Sequence, residues 1–509
     1  MFSALKKTLL LGLGTAGLAQ PGRAQATSGT PPVTPQYRPA YHFSPAAHWM
    51  NDPNGMVYFQ GTYHLFFQYN PAGMTMGNIH WGHATSKDLV SWQQQPTALF
   101  PDSLGYIFSG SAVVDAQNSA GFGKDALVAI FTHHDPKGEQ KGTATFENQS
   151  LAFSRDAGKT WQKYGGNPVL KNSGIKDFRD PKVNWYEAGK KWVMALAVKD
   201  RIHFYSSPNL KDWTKESEFG ATLGAHGGVW ECPDLFPLVL NGQTHWVLLV
   251  SVNPGGPNGG SGTQYFVGSF DGHTFAPLNN QTKWVDYGPD DYAGVTWANT
   301  GSRRLFLGWM SNWDYANQVP TSPWRNAMTV PRELALRQLG PELFLTTQPV
   351  PELTQLARPA VTLPPIRVQQ PVDLTTRLKP LGDKFELKLT TSQLASFSLV
   401  FSNGQGEQLV IGYDQVANHY FIDRRQAGNV GFNPKFAGRH TAPRLAPGPA
   451  ADLTLLFDAS SVEVFADQGL TVMSELFFPT EPLANLRITA PAGFIVQELR
   501  YASLANKAR

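Results

Sequence analysis

One short turn recurs along the first part of the chain, and this recurrence limits the possible folds more than any other feature. Ser86-Lys-Asp-Leu-Val-Ser-Trp92 is followed by Ser154-Arg-Asp-Ala-Gly-Lys-Thr-Trp161, Ser207-Pro-Asn-Leu-Lys-Asp-Trp213 and Ser269-Phe-Asp-Gly-His-Thr-Phe275, with starts 68, 53 and 62 residues apart. Each copy has Ser, then Asp or Asn two residues on, then an aromatic residue. Ser and Asx side chains stabilise tight turns, and the aromatic ring can pack beneath the hairpin. Between the copies run short β-rich segments such as Met56–Gln68, Leu127–His133, Lys191–Val198, His245–Val252 and Leu305–Met310. A hairpin returning every ~50–70 residues is the pattern of stacked blades. About 300 residues at that period predict a five-bladed β-propeller.

The hairpin does not return after the Pro-rich stretch 351–371. Alternating runs resume there, at Lys384–Thr390, Gln408–Tyr413 and Val462–Phe465 among others, and suit a β-sandwich. The expected class is all-β, a five-bladed propeller over 40–350 and a sandwich over 372–506, with linkers at 27–39 and 351–371. Residues 1–26 carry Lys6-Lys7, an apolar run from Thr8 to Ala19 and Ala24-Gln25-Ala26, the layout of a cleaved signal peptide. Export to the periplasm or the medium is therefore expected, with no membrane attachment after cleavage. The run is shorter than the ~20 residues a spanning helix needs.

Charge excludes one class of partner. There are 42 Lys and Arg against 39 Asp and Glu, and the leader holds three of the basic residues. A dispersed, neutral remainder lacks the basic face that nucleic-acid binding requires. A single cysteine, Cys232, excludes an intrachain disulfide and a Cys-rich metal site, and reads as a packed thiol. His80 and His83 lack a third ligand, and His133-His134-Asp135 reads as a loop after the Leu127–Thr132 strand. No metal or cofactor is expected.

Three acids stand out by their surroundings. Asp52 lies in His48-Trp-Met-Asn-Asp-Pro-Asn-Gly55, a polar turn before the run from Met56. Asp180 lies in Phe178-Arg-Asp-Pro-Lys182, and Glu231 in Gly228-Val-Trp-Glu-Cys-Pro-Asp-Leu-Phe236, an apolar and aromatic setting. Glycoside cleavage needs a carboxylate nucleophile and a neutral carboxylic acid that protonates the leaving oxygen. An apolar setting raises an acid's pKa, which suits Glu231 to the acid, while a polar turn suits Asp52 to the ionised nucleophile. Asp180 would then hold hydroxyls and favour positive charge at the reacting carbon.

These segments resemble the motifs of glycoside hydrolase family 32, the β-fructosidases that include invertases, exo-inulinases and levanases. Trp49-Met-Asn-Asp-Pro-Asn-Gly55 is similar to the family's nucleophile motif, Arg179-Asp-Pro181 to its second, and Trp230-Glu-Cys-Pro-Asp234 to its acid/base motif. Phe67-Gln-Tyr-Asn-Pro71, His80-Trp-Gly-His83, Phe108-Ser-Gly110, Trp309-Met-Ser-Asn-Trp313 and Pro331-Arg-Glu333 match in the family's order over roughly residues 40–340. The resemblance implies Asp52 as nucleophile, Asp180 as transition-state stabiliser and Glu231 as acid/base. It implies a fructose pocket at one end of the propeller axis. Asn51, Gln68, Ser109 and Arg179 would bind hydroxyls, and Trp49, Met76, Trp81, Phe108 and Trp313 would line the wall. Met76 departs from the pattern, since many members carry Trp there.

The expected activity is exo-acting, retaining release of terminal fructose from levan or inulin, with sucrose also hydrolysed. A retaining pair of carboxyls would lie roughly 5–5.5 Å apart. A fructosyltransferase or a dedicated invertase would use the same scaffold. The Ser154–Trp161 turn also matches the Asp-box of sialidases, but that enzyme needs a Tyr nucleophile and three arginines that the sequence does not set out. A non-catalytic sugar-binding propeller would not need all three acids.

Overall fold

The computed structural model describes residues 34–378 and 381–506; the expected signal peptide lies outside them. Five sheets among the described residues form the propeller, antiparallel except where the two-residue strand Trp324–Arg325 runs parallel to His48–Phe59. Their innermost strands are His48–Phe59, Tyr106–Asp115, Phe178–Tyr186, Val229–Leu240 and Tyr292–Thr296, one per blade, and each contacts the next around the ring. The ring closes between blades 5 and 1, where Ala298 N–H donates to Met56 O and Tyr58 N–H donates to Ala298 O, both at 2.9 Å.

The recurring turns are the hairpins that join the third and fourth strands of blades 1 to 4. In each, one Oδ1 caps the turn: Asp88 accepts from Val90 and Ser91 N–H, Asn209 from Lys211 and Asp212, and Asp271 from His273 and Thr274. Asp156 accepts from Thr160 N–H at 2.9 Å. The next residue takes the left-handed conformation: Leu89 at φ 63°, Ala157 at 58°, Leu210 at 64° and Gly272 at 91°. The left-handed form costs an ordinary residue roughly 1–2 kcal/mol. Two N–H bonds to one carboxylate or amide oxygen offset that cost, so the signature does not require Gly. The Trp ring then donates back into its own turn, Trp92 to Leu89 O, Trp161 to Gly158 O and Trp213 to Leu210 O.

Two six-stranded sheets and a two-stranded one make the C-terminal sandwich around a core that includes Phe385, Leu399, Phe457 and Leu486. The 351–371 stretch, and the described residues 34–39 of the other expected linker, behave differently from a free tether. Within 351–371, Val361–Leu363 pairs with Glu498–Ser503 as an edge strand and Ile366–Val368 pairs with Phe494–Val496. Pro364 and Pro365 fall between these strands, where no ladder N–H is lost. Thr34–Pro39 also packs down: Thr34 N–H donates to Ser322 O, Tyr37 is buried, and the Arg38 guanidinium lies 3.5 Å from the Trp324 ring centre.

Buried ion pairs fasten propeller to sandwich. Arg332, with no exposed surface, binds Asp286 at 3.0 Å and Asp291 at 2.9 Å in the propeller and Glu463 in the sandwich. Arg424 binds Asp290 at 2.6 Å and the Tyr315 hydroxyl at 2.9 Å. His42 bridges Asp458 and Glu463, at 2.8 Å to each. Burial pulls the His42 imidazole down, but its bonds to both carboxylates outweigh this and raise it to about 9. No helix among the described residues is long and apolar enough to cross a membrane.

Candidate active site

Every blade contributes to one end of the axis, and every innermost strand is bulged there. Two residues oppose one at Asn51-Asp52, Phe108-Ser109, Asp180-Pro181, Cys232-Pro233 and Ala293-Gly294, each beside a register shift. Asp180, Cys232 and Ala293 take positive φ at these bulges, 63°, 44° and 55°. A bulge breaks the in–out alternation of a strand and re-aims a side chain. Five bulges at the same height turn Asp52, Ser109, Asp180, Glu231 and Tyr292 toward a shared centre. Asp52 therefore lies inside a strand that begins at His48, not on a turn ahead of one.

Hydrogen bonds tie the group together. Asp52 Oδ2 accepts from Ser109 Oγ at 2.6 Å and Oδ1 from Asn51 Nδ2 at 3.0 Å. Trp49 Nε1 fixes Asn51 Oδ1 at 2.7 Å. Asp180 Oδ2 accepts from the Cys232 backbone N–H at 3.0 Å, and the Cys232 thiol lies 3.5 Å from Asp52 and 3.6 Å from Asp180. Glu231 Oε1 receives Arg179 Nη2 at 2.9 Å and Nε at 3.1 Å, and the Tyr292 hydroxyl donates to Oε2. Arg179 is itself held by Asp177 at 2.8 Å and by the buried Glu147 at 3.4 Å.

The apolar setting expected for Glu231 is not what surrounds it. Neighbours along a strand point to opposite faces. Trp230 accordingly turns away into a blade core and donates to Ala225 O, leaving Glu231 against a guanidinium and a phenol. Burial raises the Asp52 carboxyl above the ordinary aspartate range and the charge on Glu231 adds to this; Ser109, Asn51 and Cys232 pull it back. Burial also raises Asp180, with Arg179 opposing and Glu231 and Asp52 reinforcing. Asp180 feels the same arginine that holds Glu231, and the Asp52 charge opposes its ionisation.

The remaining expected site residues divide by exposure. Met76, Phe108 and Trp313 are half-buried and pack on one cluster, with Trp313 tilted 5.9 Å from Trp49 and Phe108 stacked 4.0 Å from His134. Trp49, Gln68 and Trp81 are buried at 0, 2 and 0 % exposure and support that surface from beneath. Gln68 donates to Ile107 O, and Trp81 donates to Phe108 O at 3.0 Å. His133 and His134 end the strand Ala126–His134 instead of forming a loop; the first ring meets Ser150 Oγ and the second meets Glu147. Among the described residues no group of three or more His, Cys, Asp or Glu could hold a metal.

Sequence reasoning missed Tyr292, Glu147 and Asp177. No local signal joins a tyrosine to an acid 61 positions away.

Residues 42–347 match the Glycosyl hydrolases family 32 N-terminal domain and 352–503 match the Glycosyl hydrolases family 32 C terminal. The chain belongs to glycoside hydrolase family 32. It is 49% identical over 473 residues to a levanase of Bacillus subtilis, covering 90% of this chain and 68% of the relative. It is 40% identical over 500 residues to an extracellular exo-inulinase of Aspergillus niger, covering 90% and 92%. A solved exo-inulinase from Aspergillus awamori superposes with a TM-score of 0.84 at 37% identity, covering 92% of this chain and 98% of that one. A Schwanniomyces occidentalis β-fructofuranosidase solved with fructosyl-erythritol gives 0.85 at 32% identity, covering 93% and 99%. This family 32 enzyme is thus a glycoside hydrolase whose propeller and sandwich both have solved counterparts.

Proposed function

We propose that the chain is an exo-acting fructan β-fructosidase that releases terminal fructose with retention of configuration. The observation that carries this reading is the convergence of Asp52, Asp180 and Glu231 from three blades into one hydrogen-bonded group. Asp52, oriented at both oxygens, attacks the anomeric carbon of a terminal β-fructosyl unit. Glu231 protonates the departing oxygen. Water then enters, Glu231 takes its proton, and the fructosyl–Asp52 ester breaks. Asp180 holds ring hydroxyls and favours positive charge at the anomeric carbon in both transition states. Arg179 keeps Glu231 in place and offers donors to substrate, while Asn51 and Ser109 polarise the nucleophile. Met76, Phe108 and Trp313 supply the apolar wall for the C–H face of the sugar.

The levanase and exo-inulinase relatives support a fructan polymer as substrate, and the same chemistry extends to sucrose. The leader-like residues 1–26 and the extracellular Aspergillus relative support export, to the periplasm or the medium.

A product time course on levan, inulin and sucrose tests this reading. Free fructose alone from the earliest points, with a fructan preferred over sucrose, is expected. Early oligosaccharides would mean endo-cleavage or transfer instead. Glu231→Gln is expected to lose about 10²–10⁴-fold in turnover, and near-normal turnover would remove Glu231 from the acid/base role.

A further inference from the structure

The opposite end of the propeller axis holds a second depression, of about 1010 Å³. The innermost strands that carry the acids at one end reach it at the other, through Asn184–Tyr186 and Leu235–Leu238. Four residues of strand separate Asp180 from Asn184 and Glu231 from Leu235, roughly 13 Å at the usual rise. Halfway along, Lys182 and Asp234 pair at 3.0 Å, Lys182 donates to Thr296 O and Asp234 accepts from Thr296 N–H, so the two ends are separate sites.

Three features of this far mouth point to a ligand. Arg304 lines it and is half-buried; its guanidinium makes no hydrogen bond with the described residues, the Phe236 ring lies 5.0 Å away, and the buried Asp234 carboxylate attracts it without bonding to it. Buried donors ordinarily have acceptors, so the part of this fork that faces the mouth is open to one from a ligand. Trp185 and Trp246 are half-buried in the same lining; Trp185 packs edge-on with Trp192 and Trp246 is tilted against Tyr186 and Phe270, so two braced rings keep part of their apolar surface uncovered. The carboxylates present, Glu187 and Glu333, are already bonded to Trp185 Nε1 at 2.7 Å and to Arg303 at 3.0 Å. With one cation and two carboxylates the mouth is not electropositive, which disfavours an anion. Flat aromatic faces beside an unused fork of donors suit a neutral, polyhydroxylated ligand.

We infer that this far mouth is a second saccharide-binding site, which holds a fructan segment distant from the cleaved end. The inference rests on the proposed function for the identity of the sugar. A polymer held at both ends of the axis is kept near the active site between cleavages, through effective concentration and not through new chemistry.

The test uses the full chain with Asp52→Asn to stop turnover, and titrates levan- and inulin-type oligosaccharides by calorimetry. Two saccharides per chain are expected, falling to one with either Trp246→Ala or Trp185→Ala; the two variants guard against a folding defect in one. In the active enzyme each variant is expected to keep kcat/KM on sucrose within about twofold and to raise KM on polymeric fructan several-fold. One saccharide per chain in the Asp52→Asn background, or two that survive both substitutions, would overturn the inference. So would citrate or phosphate that binds through Arg304 where the oligosaccharide does not. Normal fructan hydrolysis alongside any of these results leaves the proposed function standing, whereas an unmutated chain inert on fructan overturns that function and this site's sugar together.

Discussion

Two places in the molecule crowd carboxylates around arginine, and they do opposite things. At the propeller–sandwich interface, Arg332 is matched to Asp286, Asp291 and Glu463, Arg424 to Asp290, and His42 to Asp458 and Glu463. At the axial mouth, Asp180 and Glu231 share Arg179, which also answers to Asp177 and Glu147, and Asp52 stands beside them with Ser109 and Asn51 as its donors. The interface holds Asp458 and Glu463 below the ordinary carboxylate range through their partners, despite burial, while burial, Asp286 and Glu463 push Asp291 above it against Arg332. The mouth leaves Asp52 and Asp180 above it. Neither residue type nor a raised carboxyl separates a fastening from an active site; access does, because Asp291 is sealed at 1 % exposure while Asp52 and Glu231 keep open surface. An open face lets a carboxyl meet a substrate and exchange its proton, which acid/base chemistry needs.

The sharpest way to break this comparison is Asp52→Asn. It removes the nucleophile while keeping size and most hydrogen bonding, so activity on any fructoside is expected to fall roughly 10⁴-fold or more with the melting temperature almost unchanged. A stability loss as large as the activity loss would make the mouth another fastening. Arg332→Met makes the reverse cut. It strands three buried carboxylates, and removing one partner of a buried pair costs about 3–5 kcal/mol. Denaturant unfolding is expected to register that loss, with kcat preserved in the folded fraction at low temperature.

Ser109→Ala should give the smallest effect. A hydrogen bond to a charged group contributes about 1.5–3 kcal/mol, so a ten- to hundredfold fall in kcat/KM is expected. The sign in pH follows from the Asp52 environment. Ser109 holds the Asp52 carboxyl down against burial and Glu231, and without it the carboxyl rises further. The nucleophile must be ionised, so the acid limb of kcat/KM should move to higher pH, and the loss should be greatest on the acid side. A limb that stays put would separate Ser109 from the ionisation of Asp52.

Local chemistry was what the sequence revealed best. The Ser-x-Asx turns were readable because each is closed by its own side chains within seven residues. Blade 5 turns at Gly340-Pro341, without that signature, and could be inferred only from the spacing of the others. The acids were legible by motif, but their surroundings were not: strand alternation and a bulge place Trp230 away from Glu231 and bring in Arg179 and Tyr292 from other blades. Proline content misled at 351–371, because a sheet edge tolerates what a sheet centre does not. Composition says that a Trp is present but not which side of the wall it occupies, and so Trp49 and Trp81 were expected on the surface they hold up.

The closure of the ring has a consequence for the chain as it is made. Asp52, Asp180 and Glu231 all lie in the first half, yet Glu231 meets Tyr292 of blade 5, and blade 5 is bonded back to Met56 and Tyr58 through Ala298. Asp291, next to that tyrosine, is gripped by Arg332, which is anchored in turn on Glu463 of the sandwich. A nascent chain that has passed residue 231 already carries all three acids but lacks Tyr292 and the blade that closes the ring. The carboxylate that anchors Arg332 arrives later still, with the sandwich, so the acids are made long before the frame that holds them.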